Sequence, residues 1–86
     1  MKTSSMRVLY ELDKQVDSLV KQKQKQYSCV ITLYHDAETD STWMNVFTFD
    51  LRTWGDILVS DKDNKDSTCV GIMRWFKAHG KEVKGN

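Results

Sequence analysis

A chain of 86 residues has room for one domain with one modest core, because folding at this size buries only about 60–65% of the extended surface. Hydrophobic residues at 40%, charged residues at 29% and nine aromatics exclude a wholly disordered chain. The lack of a long apolar run or signal-peptide core excludes a spanning helix and predicts a cytoplasmic protein. The net charge of +1 conceals a division: residues 1–35 carry six basic and three acidic groups, residues 36–66 three and eight, and residues 67–86 four and one. Such segregation can orient the molecule on a charged partner without strong general affinity for nucleic acid.

Leu9, Leu12, Val16 and Leu19 recur in steps of three and four, with Val20 widening the stripe, so an amphipathic helix is predicted over about 5–25. Ser4 or Ser5 would cap it, and Lys21, Lys23 and Lys25 would favour the negative end of its dipole. From Tyr27 the period changes to two. A strand over about 27–34 would set Cys29, Ile31 and Leu33 on one face and Val30, Thr32 and Tyr34 on the other. A second strand over about 42–50 would place Trp43, Phe47, Phe49 and Leu51 on the core face and Met44 and Val46 outside. Pairing Leu33 with Trp43 and Cys29 with Phe47 requires a connection of odd length between the strands and excludes a two-residue turn at Glu38-Thr39. Arg52 to Asp56 reads as a turn, with Gly55 supplying a positive φ, followed by a short strand over about 57–60. After a polar loop, Asp66 or Ser67 would cap a helix over about 67–79 with Cys69, Ile72, Met73 and Phe76 on its apolar face. Gly80 would end that helix, leaving a loose tail over 81–86. The expectation is a single α+β domain spanning 1–86: a three-stranded antiparallel meander flanked by an N-terminal and a C-terminal helix, in the order α-β-β-β-α.

The chemical motifs are incomplete. Asp61 and Asp63 begin a calcium-loop pattern, but Lys65 occupies the third ligand position and Asp66 the glycine position, while Ile72 replaces the bidentate glutamate. Cys29, His35, Cys69 and His79 lack the close spacing of a structural zinc site, and the two cysteines read as buried free thiols. No glycine elbow, cysteine signature or phosphate-cradling glycine run is present. Glu38 and Asp40 have no apolar pocket nearby in sequence to separate their acidities. Neither an enzyme, a metal site nor a cofactor is expected.

Surfaces therefore carry the functional reading. With Val30, Tyr34, Met44 and Val46 outside, the sheet would show an apolar face of the kind that meets a partner, and Arg52 and Trp54 add side chains enriched at interface hot spots. The expected function is a non-catalytic interaction module that binds and modulates or inhibits a larger protein or nucleoprotein complex. A small inhibitor, an immunity-type protein or a phage-type host modulator fits its size. Tyr34, Met44, Val46, Arg52 and Trp54 would make contact, and Asp36, Glu38 and Asp40 would act as steering charges. Homodimerisation through the same face is a second arrangement. The alternative is a nucleic-acid-binding domain using Lys21, Lys23, Lys25, Arg74 and Lys77 on the outer faces of the helices.

Overall fold

In a computed structural model, which describes residues 7–9, 13–63 and 67–85, the chain forms β1 (Arg7–Leu9), α1 (Lys14–Tyr27), β2 (Cys29–Asp36), β3 (Ser41–Thr48), β4 (Thr53–Ser60) and α2 (Thr68–Lys84). The four strands make one antiparallel sheet in chain order, β1-β2-β3-β4. The fold is thus α+β with an antiparallel sheet and two helices, as the periodicities indicate, but the sheet has four strands.

The extra strand lies where the first helix was expected to begin. Arg7, Val8 and Leu9 pair with Asp36, His35 and Tyr34 at the edge of the sheet. The helix starts instead behind Asp13, whose carboxylate accepts the Val16 N–H at 2.8 Å and satisfies a donor that a helix start leaves free. Ser4, Ser5 and Leu12 lie outside the described residues. Val16 and Val20 are buried, and Tyr27 ends the helix. Ser28 turns the chain into β2 in the left-handed region at φ 51°, its N–H bonded to the Gln24 carbonyl. Gln24 also accepts the Ile31 N–H through its side-chain oxygen at 2.8 Å, covering part of β2 that the three-residue β1 does not reach.

The largest correction concerns β3. Leu33 pairs with Met44, Ile31 with Val46 and Cys29 with Thr48, whereas Trp43 sits beside Tyr34 and Phe47 beside Val30. The connection from Asp36 to Ser41 has four residues, an even number. Its geometry is held by the Asp36 carboxylate, which accepts the Glu38 N–H at 3.0 Å and the Thr39 N–H at 3.4 Å, and by Asp40 at φ 52°. An even loop reverses the parity of β3. Met44 and Val46 are therefore fully buried at 0% exposure beneath the helices, and Trp43 and Phe47 point away from them.

The reversal between β3 and β4 occurs at Phe49 to Arg52, earlier than expected, with Leu51 rather than Gly55 in positive φ. Thr48 closes it: its N–H reaches the Arg52 carbonyl and its carbonyl accepts from Leu51. Trp54 consequently lies within β4. The helix α2 begins behind Ser67, whose hydroxyl accepts the Val70 N–H at 3.2 Å, in agreement with one of the two expected caps. It runs past Gly80 to Lys84, because Val83 continues the buried stripe of Ile72 and Phe76, and the tail expected over 81–86 is helical as far as Lys84.

Both helices cover the same face of the sheet. Val16 and Val20 from α1 meet Ile72, Phe76 and Val83 from α2 over Cys29, Ile31, Leu33, Met44, Val46 and Val59. The layers approach closely at two glycines. A Cβ at Gly71 would fall 1.8 Å from the Val59 carbonyl oxygen, and one at Gly80 would fall 2.8 Å from the Tyr27 ring. The neighbour differs in kind: backbone at Gly71, a side chain at Gly80. Gly71→Ala is expected to destabilise the fold by about 1–3 kcal/mol or more, because β4 must move. Gly80→Ala should cost distinctly less, since Tyr27 can shift and alanine gains about 1 kcal/mol of helix propensity. Urea unfolding of the two variants measures the difference, and equal losses would contradict this packing.

Candidate functional site

The uncovered face of the sheet is built from alternate residues of all four strands. Leu9, Val30, Tyr34, Trp43, Phe47 and Leu58 lie on it, interspersed with Thr32, Asn45 and Thr53. Leu9, Val30, Phe47 and Leu58 are exposed, with Phe47 at 40% and Leu58 at 47%, while Tyr34 and Trp43 are half-buried. An antiparallel sheet with one solvated face normally presents polar side chains there. This one carries six large apolar or aromatic side chains among its polar ones.

Arg7 crosses the face from the β1 edge. Its guanidinium lies 4.2 Å above the centroid of the Trp43 ring and pairs with Asp56 of β4 at 2.8 Å. The Trp43 indole is held at its edge as well, donating Nε1–H to the Ser41 hydroxyl at 2.8 Å, which in turn lies 2.6 Å from Thr39 Oγ1. At that end of the sheet the β2–β3 loop and residues 61–63 converge. Trp43 and Leu58 floor a cleft of about 370 Å³ rimmed by Glu38, Asp61, Lys62 and Asp63. Residues 64–66, which include Lys65 and Asp66 of the incomplete calcium pattern, lie outside the described residues.

The residues singled out from sequence divide among several environments. Tyr34 and Val30 lie on the open face, as expected. Met44 and Val46 do not: they belong to the core, and the reversed parity of β3 puts Trp43 and Phe47 in their place. Arg52 is engaged within the molecule. Its guanidinium donates to the Glu82 and Val83 carbonyls, the latter at 3.0 Å, and to the Asp50 carboxylate, so it caps the open end of α2. Trp54 is half-buried against the core, 6.3 Å edge-to-face from Trp75, with Arg52 5.4 Å above its ring. Asp36 is buried and bonded to its own loop, which removes it from the surface, while Glu38 and Asp40 are exposed on that loop. Asp40 lies 3.4 Å from His35 Nε2.

On the helix side, Lys21 pairs with Asp17 at 3.2 Å, Lys23 turns toward the Tyr27 ring at 5.8 Å, and Lys25, Arg74 and Lys77 are exposed. Cys29 is buried and Cys69 half-buried. Both are free thiols with their pKa raised by loss of solvation, and the nearby Asp13 charge contributes at Cys69. Among the described residues no three His, Cys, Asp or Glu side chains are grouped to hold a metal ion, and no helix is long and apolar enough to cross a membrane.

Trp43 and Phe47, open-face residues that sequence periodicity missed, had a readable signal in Asp36. An aspartate ahead of a short polar run favours a side-chain-to-backbone turn of this kind. Compared with known proteins, the chain matches no family model, no curated protein and no solved structure.

Two measurements check this arrangement. Met44→Ala should cost about 2–5 kcal/mol as a buried truncation, whereas Phe47→Ser should cost under about 1 kcal/mol. The reverse ranking in denaturant unfolding would restore the odd-numbered core. Asp50 supplies the second. Hydrogen bonds from Thr48 and then Arg52 hold its carboxyl below the ordinary carboxylate value. A depressed folded pKa contributes stability that is fully present above the unfolded value of about 3.9 and disappears as pH falls through the lower folded value. The melting-temperature gap between wild type and Asp50→Asn should therefore be constant near neutrality and close on acidification below that range. A gap independent of pH would show that the Asp50 charge has no part in the turn.

Proposed function

We propose that this protein is a non-catalytic interaction module. It docks a protein surface, apolar at its centre and basic at its margin, onto the open face of its sheet, and in doing so modulates or inhibits the larger complex to which that surface belongs. The observation that carries the reading is the placement of both helices on one side. It leaves Leu9 and Leu58 exposed in one row with the half-buried Tyr34 and Trp43, and Val30 and Phe47 exposed beyond the intervening Thr32 and Asn45. Exposed apolar groups interspersed and rimmed with polar residues are a common form of protein-binding surface, and aromatic side chains are enriched at its energetic centre.

The basic character of the partner's margin follows from charge. Glu38, Asp61 and Asp63 surround the cleft beside Trp43 and Leu58, with Lys62 the cation among them. Cations on an incoming surface would be drawn to that rim, and its carboxylates would repel the phosphates of a nucleic acid approaching the same face. Arg7 contributes by fixing the indole, so part of the contact surface is already ordered before binding.

The test is site-specific photocrosslinking in the native cell, with the reactive residue at position 30 on the open face and at position 22 on the outside of α1. Adducts to another protein from position 30 but not from position 22 are expected, with loss of those adducts when Phe47→Asp and Leu58→Asp are introduced together. Adducts of twice the chain mass would identify a second copy as the occupant instead. Equal labelling from both positions, or none from position 30, would remove the open face as the binding site.

A further inference from the structure

The cationic side chains of α2 are not distributed as a solubilising coat would require. Arg74, Lys77, Lys81 and Lys84 follow in steps of three, four and three, which at 3.6 residues per turn confines them to an arc of about 80° and extends them over about 15 Å of helix. That arc is opposite the stripe of Ile72, Phe76 and Val83 that meets the sheet. All four residues are exposed. Complementing the helix dipole accounts for Lys81 and Lys84 in the last turn, but that effect fades within a turn and does not reach Arg74 or Lys77.

Lys77, Lys81 and Lys84 have no carboxylate partner among the described residues, in contrast to Lys21, which Asp17 neutralises. The same three lysines line a shallow groove of about 250 Å³ between the helices, with Gln26 and Tyr27 on its α1 side. The one carboxylate of α2, Glu82, is exposed beside the row, and Lys21 and Lys25 stand on the exposed side of the adjoining α1.

From this we infer that the outer surface of α2, with the groove beside it, is a binding track for the sugar–phosphate backbone of nucleic acid, independent of the open sheet face. A row of cations at intervals of about 4.5–6 Å suits a regularly charged polymer better than a lone anion. An anionic membrane is the poorer fit, because a helix that binds a bilayer inserts an apolar face, and the apolar stripe of α2 is already buried against the sheet. The acidic strands and loops do not cancel the track. A helix is about 10 Å across, more than the screening length of about 8 Å at physiological salt.

The experiment is fluorescence anisotropy with labelled 20-nucleotide single strands and 20-base-pair duplexes of mixed sequence, at salt concentrations from 50 to 200 mM. Wild type is expected to bind with a dissociation constant on the order of 10⁻⁶–10⁻⁴ M and a negative salt slope. The Lys77→Gln, Lys81→Gln, Lys84→Gln variant should bind at least tenfold more weakly, with a slope shallower by about 2–3. Phe47→Asp should bind like wild type, which separates this site from the open face. Glutamine preserves helix propensity, and circular dichroism verifies the fold; if the triple variant is unfolded, Lys77→Gln alone should reduce the slope by about 1. The inference is overturned by no binding at 50 mM salt, by unchanged binding of a folded variant, or by binding to phosphatidylserine vesicles without binding to either nucleic acid.

Discussion

Everything about the two faces of this molecule depends on how four residues join β2 to β3. The Asp36 carboxylate accepts two successive backbone N–H groups from that loop, and Asp40 turns the chain back in the left-handed region. With Asp36 opposite Ser41, every later pair in the hairpin is determined, since side chains alternate strictly along a strand. The central strand could have been read either way. It has Met44 and Val46 on one side and Trp43 and Phe47 on the other, so hydrophobicity alone does not choose its inner face, and the loop does.

Once that choice is made, the helix layer can settle closely. The α2 backbone approaches β4 so tightly at Gly71 that a single methyl group would overlap the Val59 carbonyl. Gly80 admits the Tyr27 ring, which stacks on Phe76 at 4.9 Å and joins the two helices. Arg52 secures the far end of α2 by donating to its last carbonyls, linking the β3–β4 turn to the helix layer. The result is a molecule whose two layers differ in charge as well as composition. The helices carry eight basic residues against Asp17 and Glu82, whereas residues 28–63 carry seven acidic residues against Arg52 and Lys62. The two proposed surfaces, for a basic partner and for a polyanion, are compatible on so small a domain because they lie on opposite sides.

Much of the architecture was legible where one face of an element is uniformly apolar. The stripe of Ile72 and Phe76, the alternation of Cys29, Ile31 and Leu33, and the Ser67 cap all lie where periodicity placed them. The first helix was over-extended because Leu9, Leu12 and Val16 also fit a helical spacing, while a three-residue edge strand is too short to display a period. Gly80 resembled a helix terminator, although its small size serves a close contact with Tyr27. The candidate surface was legible in kind but not in membership. An apolar outer face follows from the composition of β2 and β3, and Val30 and Tyr34 belong to it. Assigning Met44 and Val46 rather than Trp43 and Phe47 turned on the parity of one loop. Arg52 and Trp54 illustrate a different limit, since residue types favoured at interfaces also serve as caps and core margins.

The last strand of the sheet shows how the protein avoids becoming a template for itself. β4 is eight residues long and, among the described residues, has β3 as its neighbour on one side of the sheet only. Its pairing with β3 is irregular at two points, and Asp56 adopts φ 52° within one of them, between Trp54 and Ile57. Those kinks break the flat row of amide and carbonyl groups that a further strand from another copy would need. An apolar sheet face thus sits beside a β4 edge whose irregular geometry opposes the edge-to-edge stacking that leads to fibrils.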